Sequence, residues 1–204
     1  MQRQKKDIRQ ILLRTAHEEF LKFGFKNASM RAIAKRSGVT LSNIYNYFKD
    51  KDELFRAVLT PLLEAFDRLA ETHNSEDYLT LNVFTEKSYQ RRMMDEFMSV
   101  LKGNEAELKL LLFQSGGSSL ENYRDFFTGR QTESGKKYMR YMKMRYPHIN
   151  DDISTFFIHT MSSWWLTLMG EIVTHDELTE EEIERFLSEY VAFGTAGWKE
   201  LLKA

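Results

Sequence analysis

Two prolines in 204 residues, Pro61 and Pro147, leave nearly the whole chain free to be helical. Proline inside a helix removes a backbone donor and clashes with the preceding turn, at a cost of about 3 kcal/mol. A chain so short of it, with no stretch of strict apolar–polar alternation, is expected to be all-α. Hydrophobic residues at 42% and charged residues at 29% are enough to bury a real core. The absence of cysteine excludes a disulfide framework and cysteine-ligated zinc or iron–sulfur sites, and it fits a reducing cytoplasmic setting. The start, Met1 to Asp7, is polar and runs into an amphipathic segment, so no signal peptide is expected. Residues 153–170 hold no Asp, Glu, Lys or Arg. Ser154, Thr155, His159, Thr160, Ser162, Ser163 and Thr167 make that stretch too polar for a membrane span, and it reads as a buried helix.

The net charge of −1 hides an asymmetry. Residues 1–60 carry 13 Lys and Arg against 6 Asp and Glu, whereas the remainder carries 16 against 24. A balance of +7 in the first part and −8 in the second points to a polyanion as the partner of the first part alone. Taken by itself, the same balance also describes a solvated basic face.

The apolar positions Ile8, Leu12, Ala16, Phe20 and Phe23 recur every three or four residues and predict a first helix over 5–23, stopped by Gly24. Ser29 caps a second, short helix carrying Met30, Ile33 and Ala34. Ser37-Gly38-Val39 is a tight turn. A third helix of about seven residues follows, capped by Thr40 and carrying Ile44, Tyr45 and Phe48. A fourth begins near Asp52, with Leu54, Phe55, Val58 and Leu62 on its apolar stripe. Beyond residue 72 helices are expected at 76–102, 105–114, 118–145, 151–174 and 179–202. Thr179 to Glu182 forms a capping box at the start of the last of these.

Two short helices joined by a glycine turn make a helix-turn-helix. Ile33, Ala34, Val39, Ile44 and Phe48 fix the crossing angle from inside. Thr40, Ser42, Asn43, Asn46 and Tyr47 offer hydrogen-bonding groups outward to base edges and phosphates, and Lys49 and Lys51 follow to neutralise phosphates. Tyr45 reads either as a phosphate contact or as a core aromatic with its hydroxyl at the rim.

The run Gly24-Phe25, Ser29 to Thr40 and Ile44 to Leu54 closely resembles the DNA-binding head of the TetR family of bacterial repressors. The likeness covers about residues 8–58 without a gap. It implies a three-helix head, homodimerisation through the last two helices, a body that binds a small-molecule effector, and double-stranded operator DNA as partner. Carried onto this chain, it places Asn43 and Tyr47 near base edges with Arg31 beside them, and Thr40, Tyr45 and Lys51 on phosphates. The chain departs from the family at Glu19, where an apolar residue is usual. It departs again at Leu41, which either touches a thymine methyl or tucks against the head. The resemblance thus divides the chain into a DNA-binding domain over 1–50 and a sensing and dimerisation domain over 51–204.

In the body, residues 153–173 and the last helix are apolar around more of their circumference than one core needs, which suits a four-helix interface between two copies. A Met and aromatic stripe over 76–145 supplies core or pocket walls, and no single ligand residue stands out. The five histidines show no ligand spacing, and no nucleophile elbow, phosphate loop or zinc motif appears. No cofactor, metal or catalytic residue is therefore assigned. The sequence leaves open a regulator controlled by a protein partner and, more remotely, a helical enzyme with an incidental basic head.

Overall fold

A computed structural model describes residues 2–204, with side chains from Lys6 onward, so the expectation made of the extreme N-terminus lies largely outside it. Among the described residues there are nine α-helices and no strand. They are α1 (Gln2–Asn27), α2 (Met30–Ser37), α3 (Leu41–Ile44), α4 (Lys51–His73), α5 (Lys87–Leu101), α6 (Glu105–Phe113), α7 (Tyr123–Arg145), α8 (Thr155–Thr174) and α9 (Glu180–Leu202). No helix among the described residues is long and apolar enough to cross a membrane. The helices form two compact units, residues 1–64 with 105–123, and residues 65–104 with 124–204.

The first unit is built on local signals. α1 runs past its predicted end, but Gly24 breaks it with φ 68° and ψ 173°, values that only glycine adopts without strain. A Cβ there would stand 3.3 Å from both Cβ and the carbonyl oxygen of Gln114, which follows α6. The Phe25 amide donates to that carbonyl at 2.9 Å, so the break also brings α1 against the end of α6. Phe20, Phe25 and Phe55 meet at ring separations of 4.9 to 6.2 Å, and Leu12, Ile33, Ile44 and Leu54 are fully buried. Pro61 lies inside α4 without ending it. Leu54, Phe55, Leu59 and Leu62 are wholly buried along that helix. Each contributes about 1.5–3 kcal/mol, which together outweighs the proline.

Several predicted boundaries move. α3 is four residues long, and the chain then closes in a tighter turn through Tyr47, the Asn46 amide donating to the Asn43 carbonyl and the Tyr47 amide to the Ile44 carbonyl. The helix expected over 76–102 is two short 3₁₀ turns, Glu76–Tyr78 and Leu81–Phe84, followed by α5. The Thr80 side chain accepts from the Asn82 amide there, a local bond that competes with a continuous helix. Residues 118–122 form a loop because Ser115 and Ser118 are buried and bond backbone carbonyls instead of continuing a helix. α8 starts at Thr155, capped by Ser154 accepting from the Phe157 amide, and the Thr179 capping box forms as read.

In the second unit Phe66, Phe97 and Phe127 surround Trp165, while Met139, Met142, Ile149, Ile158 and Leu202 make a separate buried cluster. Gly135 on α7 lets α8 approach, since a Cβ there would meet Ile158 Cγ2 at 2.8 Å.

Candidate functional site

The turn between α2 and α3 is shaped by Gly38, which ends α2 in the left-handed region at φ 71° and ψ 20°. The Val39 amide reaches back to the Ala34 carbonyl at 3.1 Å. Ile33, Ile44 and Phe48 are sealed beneath, so the outer edge of α3 and its closing turn are held at a fixed angle. Thr40 caps α3, its Oγ1 accepting from the Asn43 amide at 3.2 Å and sharing a 3.1 Å hydrogen bond with the Ser42 hydroxyl. Asn46 Nδ2 donates to Asn43 Oδ1 at 3.3 Å. Thr40, Ser42, Asn43 and Asn46 therefore form one hydrogen-bonded polar ridge, oriented before any partner arrives.

Tyr45 is 48% exposed beside that ridge, and Tyr47 is half-buried at its far end. Arg31 is exposed on the first turn of α2. Lys49 has 83% of its side chain in solvent, 3.8 Å from Asp50. Lys51 is different. Its Nζ donates to the carbonyls of Ala28 at 2.9 Å and Lys26 at 3.2 Å, and it stands 4.6 Å from the centre of the Phe25 ring. Burial lowers its pKa from the usual lysine value, opposed by the negative charge of Glu19. Its ammonium faces the α1–α2 connector, whose carbonyls it satisfies, while at the start of α4 the Glu53 amide donates to Asp50 Oδ1 and the Glu53 carboxylate accepts from the Lys49 amide.

Glu19 gains a definite role. It is 3% exposed, accepts from the Ser29 amide at 3.0 Å and pairs with Arg36 at 3.3 Å. The carboxylate thus ties α1 to both ends of α2. The sequence carried a signal for this, since Arg36 supplies the opposite charge within the same motif. Contacts from the distant part of the first unit carried none. His17 meets Glu107 of α6 at 2.5 Å, and Ser119 donates its amide to Asp52 at 2.7 Å and takes a bond from Arg56.

A cavity of about 350 Å³ lies within the second unit. Met93, Phe97, Phe127 and Tyr138, from the stripe read as core or pocket, line it. So do Trp165, Tyr190 and Trp198, which the sequence groups with the broad stripes of the last two helices. Burial pushes the Tyr190 hydroxyl up to about 12 and raises Tyr138 further, so both stay protonated. No cluster of three metal-ligating side chains occurs among the described residues.

Residues 12–58 match the model of a family described as bacterial regulatory proteins, tetR family. The uncharacterized HTH-type transcriptional regulator YhgD of Bacillus subtilis is 35% identical over 65 residues, 32% of this chain and 34% of its own length. The likeness thus spans about a third of the curated relatives it matches. Along the whole chain the fold is similar to that of NalD, the secondary repressor of the MexAB-OprM multidrug efflux pump in Pseudomonas aeruginosa, with a TM-score of 0.67 at 20% identity, covering 94% of this chain and 97% of that one. The regulator FadR of Bacillus subtilis, solved with stearoyl-CoA, aligns with a TM-score of 0.56 at 16% identity over 92% and 97%.

Proposed function

From a chain whose head belongs to the TetR family of DNA-binding transcriptional regulators, we propose a homodimeric repressor that a small molecule releases from a palindromic operator. The observation that carries this is the ordered polar ridge of Thr40, Ser42, Asn43 and Asn46 over a sealed apolar base, in the segment of strong positive charge. Direct readout of bases needs donors and acceptors fixed in the major groove, and phosphate contacts need flanking cations. In this reading Asn43 and Tyr47, with Arg31 beside them, approach base edges. Thr40, Ser42, Tyr45, Asn46 and Lys49 engage the backbone and groove rim. Lys51 serves the interface by holding the start of α4 to the connector.

The functional division at residues 1–50 and 51–204 belongs to the same proposal, with the second part sensing and dimerising. Phe156 on α8 is 77% exposed and Phe193 on α9 is 65% exposed, and a second copy packed on the last two helices would cover both. A symmetric dimer presents two heads to half-sites about 34 Å apart. An effector that binds one body conformation better shifts that spacing, and a coupling of about 1–3 kcal/mol gives a useful switch. α4 has residues in both units, which makes it one of three covalent routes for such a shift and a continuous helix.

The test is fluorescence anisotropy with DNA fragments flanking the gene, at two salt concentrations, beside an Asn43→Ala/Tyr47→Ala variant. Selective, salt-sensitive binding to one fragment that the variant loses is the expected result. Equal weak binding to every fragment, unchanged in the variant, would reduce the head to a polyanion-attracting surface.

A further inference from the structure

We infer that the cavity of the second unit takes a mostly apolar molecule bearing one amide-like group, a hydrogen-bond donor beside an acceptor, seated on Gln131 and Ser134 of α7. This rests on reading the second unit as the sensing body. The cavity volume, about 350 Å³, falls within the range of small-molecule sites.

The wall is largely aromatic and aliphatic, and Gln131 and Ser134 interrupt it. They stand three residues apart on α7, so one face of that helix presents both. Each is half-buried, and neither side chain bonds to any described residue. Other polar groups on the wall are already engaged. The Ser162 hydroxyl donates to the Ile158 carbonyl, Thr195 donates to Val191 while accepting from Gln90, and the Tyr138 hydroxyl donates to the Tyr78 carbonyl. Asn74 Nδ2 donates to the Ala70 carbonyl. Trp165 Nε1 and His73 Nε2 are fully shielded, the latter 2.9 Å from Glu96 Oε2, so an occupant touches neither atom. The Tyr190 hydroxyl also bonds no described residue, but it belongs to α9, where its ring packs on Phe97 and Trp164. Gln131 and Ser134 are therefore the accessible polar pair on one face whose partner has to come from the occupant.

The chemistry of that partner follows from Gln131. Its side chain carries two donors and a carbonyl acceptor, and the Ser134 hydroxyl beside it serves in either sense. A group that only accepts, or only donates, leaves one end of the Gln131 amide unmatched against an apolar wall. The charge nearby favours neither sign. No Lys, Arg, Asp or Glu lines this cavity. Asn74, Ser134 and Tyr138 also line an adjoining cavity of about 520 Å³, where one cation, Lys137, faces one anion, Glu71, and Arg130 pairs with Asp67 at 2.6 Å. A neutral donor–acceptor head suits both Gln131 and this balanced surround, with the apolar body against Phe97, Phe127 and the Trp165 ring.

The experiment uses four probes of one shape on the full-length protein: 2-naphthamide, 2-acetylnaphthalene, 2-isopropylnaphthalene and 2-naphthoate, titrated by calorimetry. The wild type is expected to bind the amide more tightly than the carboxylate. Gln131→Met keeps the length of the side chain, suits a helix and breaks no bond to a described residue, so the fold is retained. It should weaken 2-naphthamide by about tenfold, the scale of one or two hydrogen bonds, weaken the ketone less and leave the hydrocarbon unweakened. Ser134→Ala should cost the amide a smaller factor, whereas Ser162→Ala, whose hydroxyl already has a partner, should not discriminate among the probes. Four results would each overturn the proposal: no probe binds; the carboxylate binds tightest; Gln131→Met weakens amide and hydrocarbon alike; or Tyr190→Phe costs the amide more than Gln131→Met does. DNA release is read separately. Probes that bind in the expected order without loosening the DNA complex sink the effector reading and keep the cavity assignment; release driven by the carboxylate alone does the reverse.

Discussion

Replacing Glu19 by alanine removes the one carboxylate that joins α1 to both ends of α2, and the structure sets the size of the loss. The Ser29 amide loses a charged acceptor at 3.0 Å, worth about 1.5 kcal/mol at the low end for hydrogen bonds to charged groups. The low end applies because Ser29 is itself exposed and water can reach its amide. The ion pair with Arg36 contributes less. Arg36 has 42% of its side chain in solvent and also pairs with Glu18, so about 0.5 kcal/mol is a fair share. A methylene is lost at a 3% exposed position, at about 0.8 kcal/mol. The total approaches 3 kcal/mol, which for a chain of this length lowers the melting midpoint by about 6–12 °C.

Glu19→Gln separates the contributions, because it keeps the volume and a neutral acceptor for Ser29 while surrendering the charge. It should cost about 1 kcal/mol. Arg36→Ala should cost no more than that, since Glu19 would keep its bond from the Ser29 amide. Circular dichroism melts of the three variants, with operator affinity measured below the transition, check the ranking. A loss under about 1 kcal/mol for Glu19→Ala, or one equal to that of Glu19→Gln, would show that the carboxylate does not hold these helices in register.

Three further outcomes can be measured on the same protein. Lys49→Ala should reduce the slope of log affinity against log salt by about 1, whereas Lys51→Met should leave the slope nearly unchanged and instead lower stability by about 1–2 kcal/mol, because its ammonium serves the carbonyls of Lys26 and Ala28; equal slopes for the two variants would contradict this division. Gly135→Ala should lower the melting midpoint despite the better helix propensity of alanine, as the new Cβ meets the stiff, buried Ile158 at 2.8 Å, and a rise would mean that α8 yields. Glu182 has its pKa lowered from the usual glutamate value by its bonds from Thr179, so its contribution is present above the ordinary carboxylate range and fades as pH falls through the depressed value. The stability gap between wild type and Glu182→Gln should therefore close on acidification, and a gap that widens would reverse the sign.

The head was legible because its determinants are short-range. Gly24, Ser29, Gly38 and Thr40 each act on backbone within a few residues, so a breaker or a cap read from the sequence becomes a breaker or a cap in the fold. The contacts of the Lys51 ammonium with the Lys26 and Ala28 carbonyls, by contrast, needed coordinates. Length was harder to read than position. α3 gives way to a tighter turn after Ile44, and a periodic apolar pattern does not tell an α-turn from an i+3 turn that buries the same residues. The segment over 76–86 differs for a related reason: its apolar residues Tyr78 and Val83 are buried, but Thr80 takes the Asn82 amide and the chain closes into two 3₁₀ turns.

Helical periodicity states that a residue is covered and leaves open what covers it. Trp164 and Trp165 are neighbours in sequence, about 100° apart around α8, and both fall on its broad apolar surface. Trp165 turns into the second unit among Phe66, Phe97 and Phe127, whereas Trp164 packs edge-on against Tyr190 and Phe193 of α9. Phe193 remains largely exposed, so the same helix pair presents a cavity wall on one side and an uncovered aromatic surface on the other. A breadth of stripe that suggests a partner copy is therefore also the breadth needed to enclose a ligand. The sequence cannot divide the stripe between these two uses, because which arc of each helix lines the cavity and which stays uncovered is set by packing in three dimensions.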